Sequence, residues 1–367
     1  MKVLIDAMRA THGGIATYTR NLIRAWACEF PDDTLHVLIG PDNDAVTANT
    51  SIVWHPVEVP RPGILGRPLV QSRTLPALAR RFDVDVLLST LPTTTLRHPG
   101  VPTVVVVHDL RHELRPAQFS RGRRVLRTVS YSRGYSLADA FIAISQRTLD
   151  DLQTLHPATR DRPATVVHHG ADHICATART KSRPVAVAFG HHSNKNVDLV
   201  LDGWARLSTQ LAPDSLPSLL IIGLNDQGRR DAARLLAARG LAGRVELAPF
   251  LPEEQFRATI GGARLVVFPS DFEGFGLPAL EAMQLGIPVV VGPDPAVLEI
   301  SGGHANVMGS WDVSGLTAAV RHALDMSEAA IESARAHASM FTWAATARHT
   351  RAALSSAQAR TTSRPTR

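Results

Sequence analysis

The chain has 367 residues, of which 44% are hydrophobic and 20% are charged. This length suggests about two domains, and the apolar fraction excludes disorder as the dominant state. No apolar run approaches the ~18 residues that span a bilayer, and no signal peptide is evident. Cys28 and Cys175 are far apart in sequence and form neither a metal motif nor a disulfide framework. These features favour a cytoplasmic protein.

Basic residues outnumber acidic ones by 39 to 33, and most of the surplus lies in the first half. Residues 111–133 contain seven arginines and one acidic residue, Glu113, so this segment alone has a surplus of six (7 − 1). Only three basic residues are lysines: Lys2, Lys181 and Lys195. A nucleic-acid site is not predicted, because the pattern shows no reading helix or aromatic platform of the usual modules.

The first half of the chain alternates apolar runs with helical stretches. Helices are predicted at 15–30, 71–82 and 121–136, the first from the helical spacing of Ile15, Leu22 and Trp26. Because the strands between them are apolar on both faces, they indicate a parallel sheet covered on both sides. The predicted strands are 2–7, 35–40, 83–89, 101–109, 139–145 and 164–169.

The second half repeats this plan, which predicts a second α/β sheet. A polar segment without periodicity, 175–184, is the predicted hinge between the two. The predicted strands are 185–190, 218–223, 244–249, 263–270 and 287–292, with helices near 196–212, 227–239, 253–262 and 276–285. The predicted domains are 1–176 and 177–342, followed by a helix at 343–356 and a disordered tail at 357–367.

The segment from Phe268 to Glu281, FPSDFEGFGLPALE, carries the strongest chemical signal. It predicts a strand, a glycine-containing loop with Glu273, and a helix that begins near Leu277. The N-terminus of this helix is an anion site, and the two glutamates are eight residues apart. One carboxylate could bind a sugar and the other a ribose. The alternative is that these glutamates bind no ligand and only interact favourably with the positive end of the helix dipole.

This block resembles the E-x7-E signature of retaining glycosyltransferases of the GT-B fold, family four, and the resemblance extends over about residues 1–350. Five more segments resemble family segments in the expected order: DAMRATHGGIATY, VVVVHDL, FIAISQRTLDDL, VVHHGAD and GLAGRVELAPFLPEEQF. The resemblance implies two Rossmann-like domains facing across a cleft, with a C-terminal helix that returns toward the N-terminal domain. It also implies a nucleotide-sugar donor, linked to GDP, UDP or dTDP, bound mainly by the second domain.

The same resemblance implies roles for individual residues. Lys195 resembles the lysine that neutralises the leaving diphosphate, and His108 the histidine that bonds to the donor sugar. Asp109 is expected to orient its loop or to reach the floor of the cleft. The catalytic residues implied are His108, Lys195 and Glu273, and the donor-binding residues are Gly13, Gly14, His191, Gly274, Phe275, Gly276, Leu277 and Glu281.

The chain departs from the family pattern near Lys195. The family usually places an arginine directly after the strand glycine, where this chain has His191. His191 or His192, or an arginine from elsewhere, is therefore the candidate second cation. No metal or other cofactor is predicted, because lysine, arginine and helix N-termini replace the divalent cation in this fold. The Asp-x-Asp pattern at Asp83 and Asp85 opens a predicted strand and is discounted as a metal site.

The arginine-rich segment has three interpretations that the sequence leaves open. It is a solvated face, a contact with an anionic membrane surface, or a binding surface for an anionic acceptor. Apolar residues interleave with the arginines, which predicts a basic amphipathic helix. The acceptor-side candidates are Asp109, Arg121, Arg123, Arg124 and Arg127.

The function predicted from the resemblance is retaining transfer of a hexosyl group from a nucleotide-sugar to a hydroxyl acceptor. The acceptor class stays open among glycolipids, polysaccharides and natural products. Two rival functions remain: a nucleotide-sugar epimerase of the same fold, and a non-catalytic nucleotide-sugar binding protein. The predicted location is cytoplasmic, with peripheral contact to the inner membrane face as an option.

Overall fold

The computed structural model describes residues 1–8, 13–40, 49–58, 63–176 and 185–362. The chain divides into two compact units. Unit 1 consists of Met1–Gly170 and Thr342–Arg367, and unit 2 of Ala171–Phe341. The predicted hinge lies largely outside the described residues.

Within its described residues, unit 1 contains a seven-stranded, all-parallel sheet in the order β3-β2-β1-β4-β5-β6-β7. The central strands are buried along their whole length because helices cover both faces, as their apolar sequences predict. The strands are β1 (Lys2–Asp6), β2 (Thr34–Ile39), β3 (Ile52–Pro56), β4 (Val86–Ser89), β5 (Thr103–Val107), β6 (Ala140–Ala143) and β7 (Ala164–Val166).

The edge strand β3 was not predicted from the sequence. It pairs with β2 in the register Leu35↔Ile52 to Ile39↔Pro56, and most of its side chains remain partly exposed. Its sequence, IVWHP, therefore lacks the continuous apolar character of the central strands. The first segment of unit 1, Met1–Gly170, also contains five α-helices in its described residues. They are α1 (Gly13–Glu29), α2 (Gly63–Phe82), α3 (Arg111–Leu114), α4 (Arg121–Leu137) and α5 (Gln146–Leu155).

Unit 2 contains, within its described residues, a six-stranded parallel sheet in the order β10-β9-β8-β11-β12-β13. The strands are β8 (Val185–Phe189), β9 (Ser218–Ile222), β10 (Val245–Leu247), β11 (Leu265–Phe268), β12 (Val289–Val291) and β13 (Asn306–Val307). The helices are α6 (Val197–Gln210), α7 (Asp226–Ala238), α8 (Glu253–Gly261), α9 (Leu277–Gln284), α10 (Pro295–Ser301), α11 (Val313–Leu324) and α12 (Glu328–Ala338). The prediction of two parallel-sheet Rossmann-like domains is confirmed.

The boundary between the two units lies after Gly170, whereas the sequence predicted it at residue 176. A short 3₁₀ helix, Asp172–Ala176, already belongs to unit 2. Its position has a local cause, since the Ala171 N–H donates to the Phe341 carbonyl at 2.9 Å. Unit 1 thus ends at Gly170, six residues (176 − 170) before the predicted domain limit.

The last helix, α13 (Trp343–Thr362), packs in unit 1 and extends beyond the predicted end at 356. Its Arg351 guanidinium donates to Asp33 Oδ2 at 2.7 Å and Oδ1 at 3.1 Å. Burial raises the pKa of Asp33, but hydrogen bonds from Arg351, the Met1 amine and Trp26 outweigh burial and bring the pKa to about 2. The tail predicted to be disordered is therefore helical through Thr362; residues 363–367 lie outside the described residues.

Among the residues that the structure describes, no helix combines the length and apolar character needed to cross a membrane.

Candidate functional site

The best-defined part of the candidate site lies in unit 2, around the N-terminus of α9. Gly276 occupies the N-cap position with φ +102°, a conformation that side chains rarely adopt. A Cβ at this glycine would also lie 3.0 Å from Val297 Cγ2. Leu277 and Pro278 open the first turn, and the Ala279 and Leu280 N–H groups donate to the Gly276 carbonyl at 3.0 and 3.3 Å. The positive end of the α9 dipole therefore follows directly on the loop that carries Glu273.

Two predicted catalytic residues form an ion pair in this loop. Lys195 Nζ lies 2.5 Å from Glu273 Oε1, although 78 residues separate them in sequence. Lys195 is 5% exposed, and its ammonium lies 4.1 Å from the centroid of the Phe268 ring. Lys195 is the last residue of a short 3₁₀ helix, Ser193–Lys195, and lies just before the N-terminus of α6. Glu273 thus supplies the anionic partner that a lysine needs at this position. Glu273 is partly buried in this loop.

Asn194 and Asp294, which were not among the residues predicted from the sequence, hold this pair in place. Asn194 Nδ2 donates to Glu273 Oε1 at 3.0 Å and to the Phe272 carbonyl at 2.8 Å. Asp294 Oδ2 accepts from the Glu273 N–H at 3.2 Å, while its Oδ1 caps α10 by accepting from Ala296 and Val297. The Asp-Pro start of α10 was the available sequence signal, because Asp and Pro favour the first positions of a helix.

The other predicted donor-binding residues of unit 2 lie at separate points around this loop. Phe275 is buried and faces Phe341, with 6.5 Å between ring centroids. Glu281 is 4% exposed and lies 3.0 Å from His173 Nε2. His191 follows β8, and its ring packs against His192 and the exposed Phe250.

In unit 1, α1 begins at the predicted glycine pair. Gly13 has φ +68°, and a Cβ at Gly13 or Gly14 would meet no heavy atom within 4 Å among the described residues. The space beside both glycines is compatible with a ligand that approaches the backbone. A phosphate contact there stays a prediction, and residues 9–12 of the same loop lie outside the described residues.

His108 follows β5 and is buried among aromatic rings. Its Nε2 lies 2.9 Å from the Thr90 carbonyl, which accepts only, so Nε2 carries the hydrogen. Burial lowers the pKa of His108, against smaller opposing effects of the Thr90 carbonyl and Asp109. The neutral ring therefore presents Nδ1 as an acceptor. The Tyr18 and His169 rings lie 5.1 and 5.7 Å from the His108 ring.

Asp109 has a structural contact, because its Oδ1 accepts from the Arg111 N–H at 3.0 Å at the start of α3. The expected role in orienting this loop agrees with that geometry. The S-x-x-T part of the next family-like segment also has a local purpose. Ser145 caps α5 by accepting from the Thr148 N–H at 3.1 Å.

The predicted basic helix corresponds to α4, but its arginines are not equivalent. Arg121 and Arg123 are exposed, whereas Arg127 lies over the Phe119 and Tyr131 rings at 5.6 and 5.5 Å. The exposed side of α4 also carries three large apolar residues: Val125 at 57%, Leu126 at 37% and Val129 at 64% exposure. Ser120 gives no side-chain cap, and no acidic residue lies in the first turn.

Candidate metal ligands are not grouped in the part of the chain that the structure describes, since no cluster of three His, Cys, Asp or Glu side chains has a suitable arrangement. Asp85, discounted from its position, accepts from the Lys2 N–H at 2.7 Å and from Gln358 at 3.1 Å.

Family models match both halves of the chain: "Glycosyltransferase Family 4" over residues 12–173 and "Glycosyl transferases group 1" over residues 183–326. The chain belongs to the family-four type of GT-B glycosyltransferases.

Two curated relatives and one solved structure illustrate the similarity. The D-inositol 3-phosphate glycosyltransferase of Mycolicibacterium smegmatis is 30% identical over 267 residues, which cover 67% of this chain and 60% of the relative. The MMP alpha-(1->4)-mannosyltransferase of Mycolicibacterium hassiacum is 31% identical over 150 residues, 40% of this chain and 35% of the relative. The chain thus matches less than two thirds of either relative's length.

The solved structure of Anabaena HepE with UDP and glucose has a TM-score of 0.73 at 19% identity. The similarity covers 97% of this chain and all of that one.

Proposed function

We propose that the protein transfers a hexosyl group from a nucleotide-sugar to a hydroxyl acceptor with retention of anomeric configuration. The observation that carries this proposal is the Lys195–Glu273 pair at the N-terminus of α9. It combines a cation, a carboxylate and the positive end of the α9 dipole at one loop, which suits a sugar diphosphate. The UDP and glucose in the HepE structure support the donor class, and mannosyltransferases among the relatives support a hexosyl group.

Lys195 and α9 supply the positive charge that the reaction needs. Negative charge grows on the leaving diphosphate as the glycosidic bond breaks, and preorganised electrostatics is usually the largest catalytic contribution. The Glu273 carboxylate holds the Lys195 ammonium in this position before the donor binds. Once the diphosphate arrives, its oxygens share the ammonium with Glu273. Glu273 Oε2 then accepts from the sugar hydroxyls.

We further propose that transfer proceeds without a metal ion or other cofactor, because Lys195 and the α9 N-terminus take the role of the divalent cation. The acceptor proton passes to the departing phosphate oxygen, and attack occurs on the same face as departure. That route needs no nucleophile from the enzyme. We propose a cytoplasmic location, where nucleotide-sugars are made.

The exposed side of α4 is the proposed docking surface for an anionic membrane. Arg121, Arg123 and Arg124 attract lipid phosphates, and each contributes about 1 kcal/mol near an anionic leaflet. Val125 and Val129 are one helical turn apart and are available to enter the headgroup region. This surface suits a lipid-linked acceptor.

Product analysis with GDP-mannose and UDP-glucose, in the presence and absence of acceptor, tests the proposed function. If the protein is a retaining transferase, a new glycoside should form, and the coupling of its anomeric proton should match the configuration of the donor sugar. An epimerised nucleotide-sugar formed without acceptor would identify the epimerase, and binding without turnover would identify a non-catalytic protein. The Lys195→Met variant is the control for background hydrolysis.

A further inference from the structure

Glu281 has a buried partner that no sequence motif indicated. His173 Nε2 lies 3.0 Å from Glu281 Oε1, and the two side chains are 8% and 5% exposed. His173 belongs to the short 3₁₀ helix Asp172–Ala176, and Glu281 lies within α9. Two residues 108 positions apart (281 − 173) therefore meet at α9, the helix that follows the Glu273 loop.

The donor and the acceptor of this hydrogen bond follow from the chemistry of the two side chains. A carboxylate oxygen accepts, so the imidazole must donate from Nε2, whether the ring is neutral or protonated. A donor at Oε1 restricts the rotamers that the Glu281 side chain can adopt. The carboxylate has about four lone-pair sites, so Oε2 can still accept hydrogen bonds.

His173 is itself held in place by the backbone around it. The Ala171 N–H donates to the Phe341 carbonyl at 2.9 Å, and the Ile174 N–H donates to the Ala171 carbonyl at 3.2 Å. The Ile174 side chain is only 1% exposed, which anchors the 3₁₀ helix from the inside.

A second contact joins the same two elements one turn further along α9. Gln284 Nε2 donates to Cys175 Sγ at 3.2 Å. The 3₁₀ helix is thus fastened to α9 at two points, of which only the first includes a predicted ligand-binding side chain. The Gln284–Cys175 contact joins the same two elements without involving Glu281, so it serves as a control for the His173–Glu281 contact.

We propose that His173 is a positioning residue for the donor nucleotide: it orients the Glu281 carboxylate to accept from the ribose 2′- and 3′-hydroxyl groups. The inference rests on the proposed function, since it assumes a nucleotide-sugar donor. A glutamate has several rotatable bonds, and fixing it before binding reduces the entropy lost on complex formation.

Isothermal titration with UDP and GDP, and with their 2′,3′-dideoxy analogues, tests this role. The wild-type protein is expected to bind at least one ribonucleotide roughly tenfold more tightly than its dideoxy analogue. His173→Leu is expected to remove most of that preference while leaving affinity for the dideoxy analogue unchanged. His173→Gln keeps an N–H donor and is expected to restore part of the preference.

Two further variants separate positioning from general loosening. Glu281→Ala and the double variant Glu281→Ala/His173→Leu are expected to show the same ribonucleotide affinity, because His173 acts through Glu281. Gln284→Leu breaks the neighbouring contact and is expected to keep the ribose preference.

Other results would overturn the inference in distinguishable ways. Equal wild-type affinity for ribo- and dideoxynucleotides would refute it and leave the proposed function standing. Equal losses of both affinities in His173→Leu, or the same loss in Gln284→Leu, would show that the contact is structural only. A wild-type protein that binds neither UDP nor GDP and transfers no sugar from GDP-mannose or UDP-glucose would overturn the proposed function as well.

Discussion

Replacing Lys195 by Met should lower the free energy of unfolding of unit 2, because it breaks the ion pair with Glu273. The substitution removes a cation that is 5% exposed and 2.5 Å from a carboxylate whose side chain is 16% exposed. Breaking a buried pair by removing one partner typically costs about 3–5 kcal/mol, because a charge remains desolvated. Since Glu273 retains some exposure, we expect roughly 3 kcal/mol.

The Lys195→Met/Glu273→Gln double variant should regain part of this loss, because neither charge remains. A coupling free energy of about 2 kcal/mol is expected from the double-mutant cycle. Activity should not return, since charge on the leaving diphosphate then has no ammonium beside it. Recovery of stability without recovery of turnover would separate the structural role of the pair from its catalytic role.

Urea titration followed by hydrogen exchange in peptides from α6 and α9 measures the stability of unit 2 separately. Glu273→Asp is a matched control that keeps the charge and shortens the side chain. A loss below about 1 kcal/mol in Lys195→Met, with no recovery in the double variant, would refute the reasoning. The pair would then behave as a solvated surface contact.

Three more predictions concern stability, metal dependence and the basic helix. Against burial, which raises the pKa of Asp33, the hydrogen bond from Arg351 helps hold that pKa at about 2. Arg351→Met should therefore cost about 1–2 kcal/mol at pH 7 by urea titration, and the cost should shrink as pH falls from about 4 toward 2. EDTA should leave transfer unchanged, and activity lost with EDTA but restored by Mg²⁺ or Mn²⁺ would contradict the proposed site chemistry. Replacing the arginines of α4 by Gln should weaken sedimentation with anionic vesicles at low salt without changing donor affinity; a wild-type protein that ignores these vesicles would exclude the membrane surface. The substituted residues are Arg121, Arg123, Arg124 and Arg127.

Vesicle binding also has a control for the apolar part of the surface. Val125→Ser/Val129→Ser should weaken binding even at high salt, where screening over about 8–10 Å reduces the effect of the arginines. Equal salt sensitivity in this variant and the wild type would argue against insertion of the two valines.

Local sequence patterns were sufficient to predict the two sheets. Buried parallel strands are short, apolar and separated by helices, and this signal needs no knowledge of the partner strand. The same patterns failed for the edge strands β3 and β13. Most side chains of β3 are partly exposed, and Val307 of β13 is 39% exposed. The patterns also gave no account of α10, α11 and α12, and they ended α13 too early because its last turns have no apolar face.

The sequence by itself also determined which residue types stand around the candidate site. Gly276 and Glu273 were apparent because the tight turn before α9 and the start of that helix are local features. The pairs Lys195–Glu273 and His173–Glu281 depended on tertiary structure. Their partners lie on different elements, 78 and 108 residues apart, and only the packing of the unit 2 sheet, its loops and α9 brings them within hydrogen-bond distance.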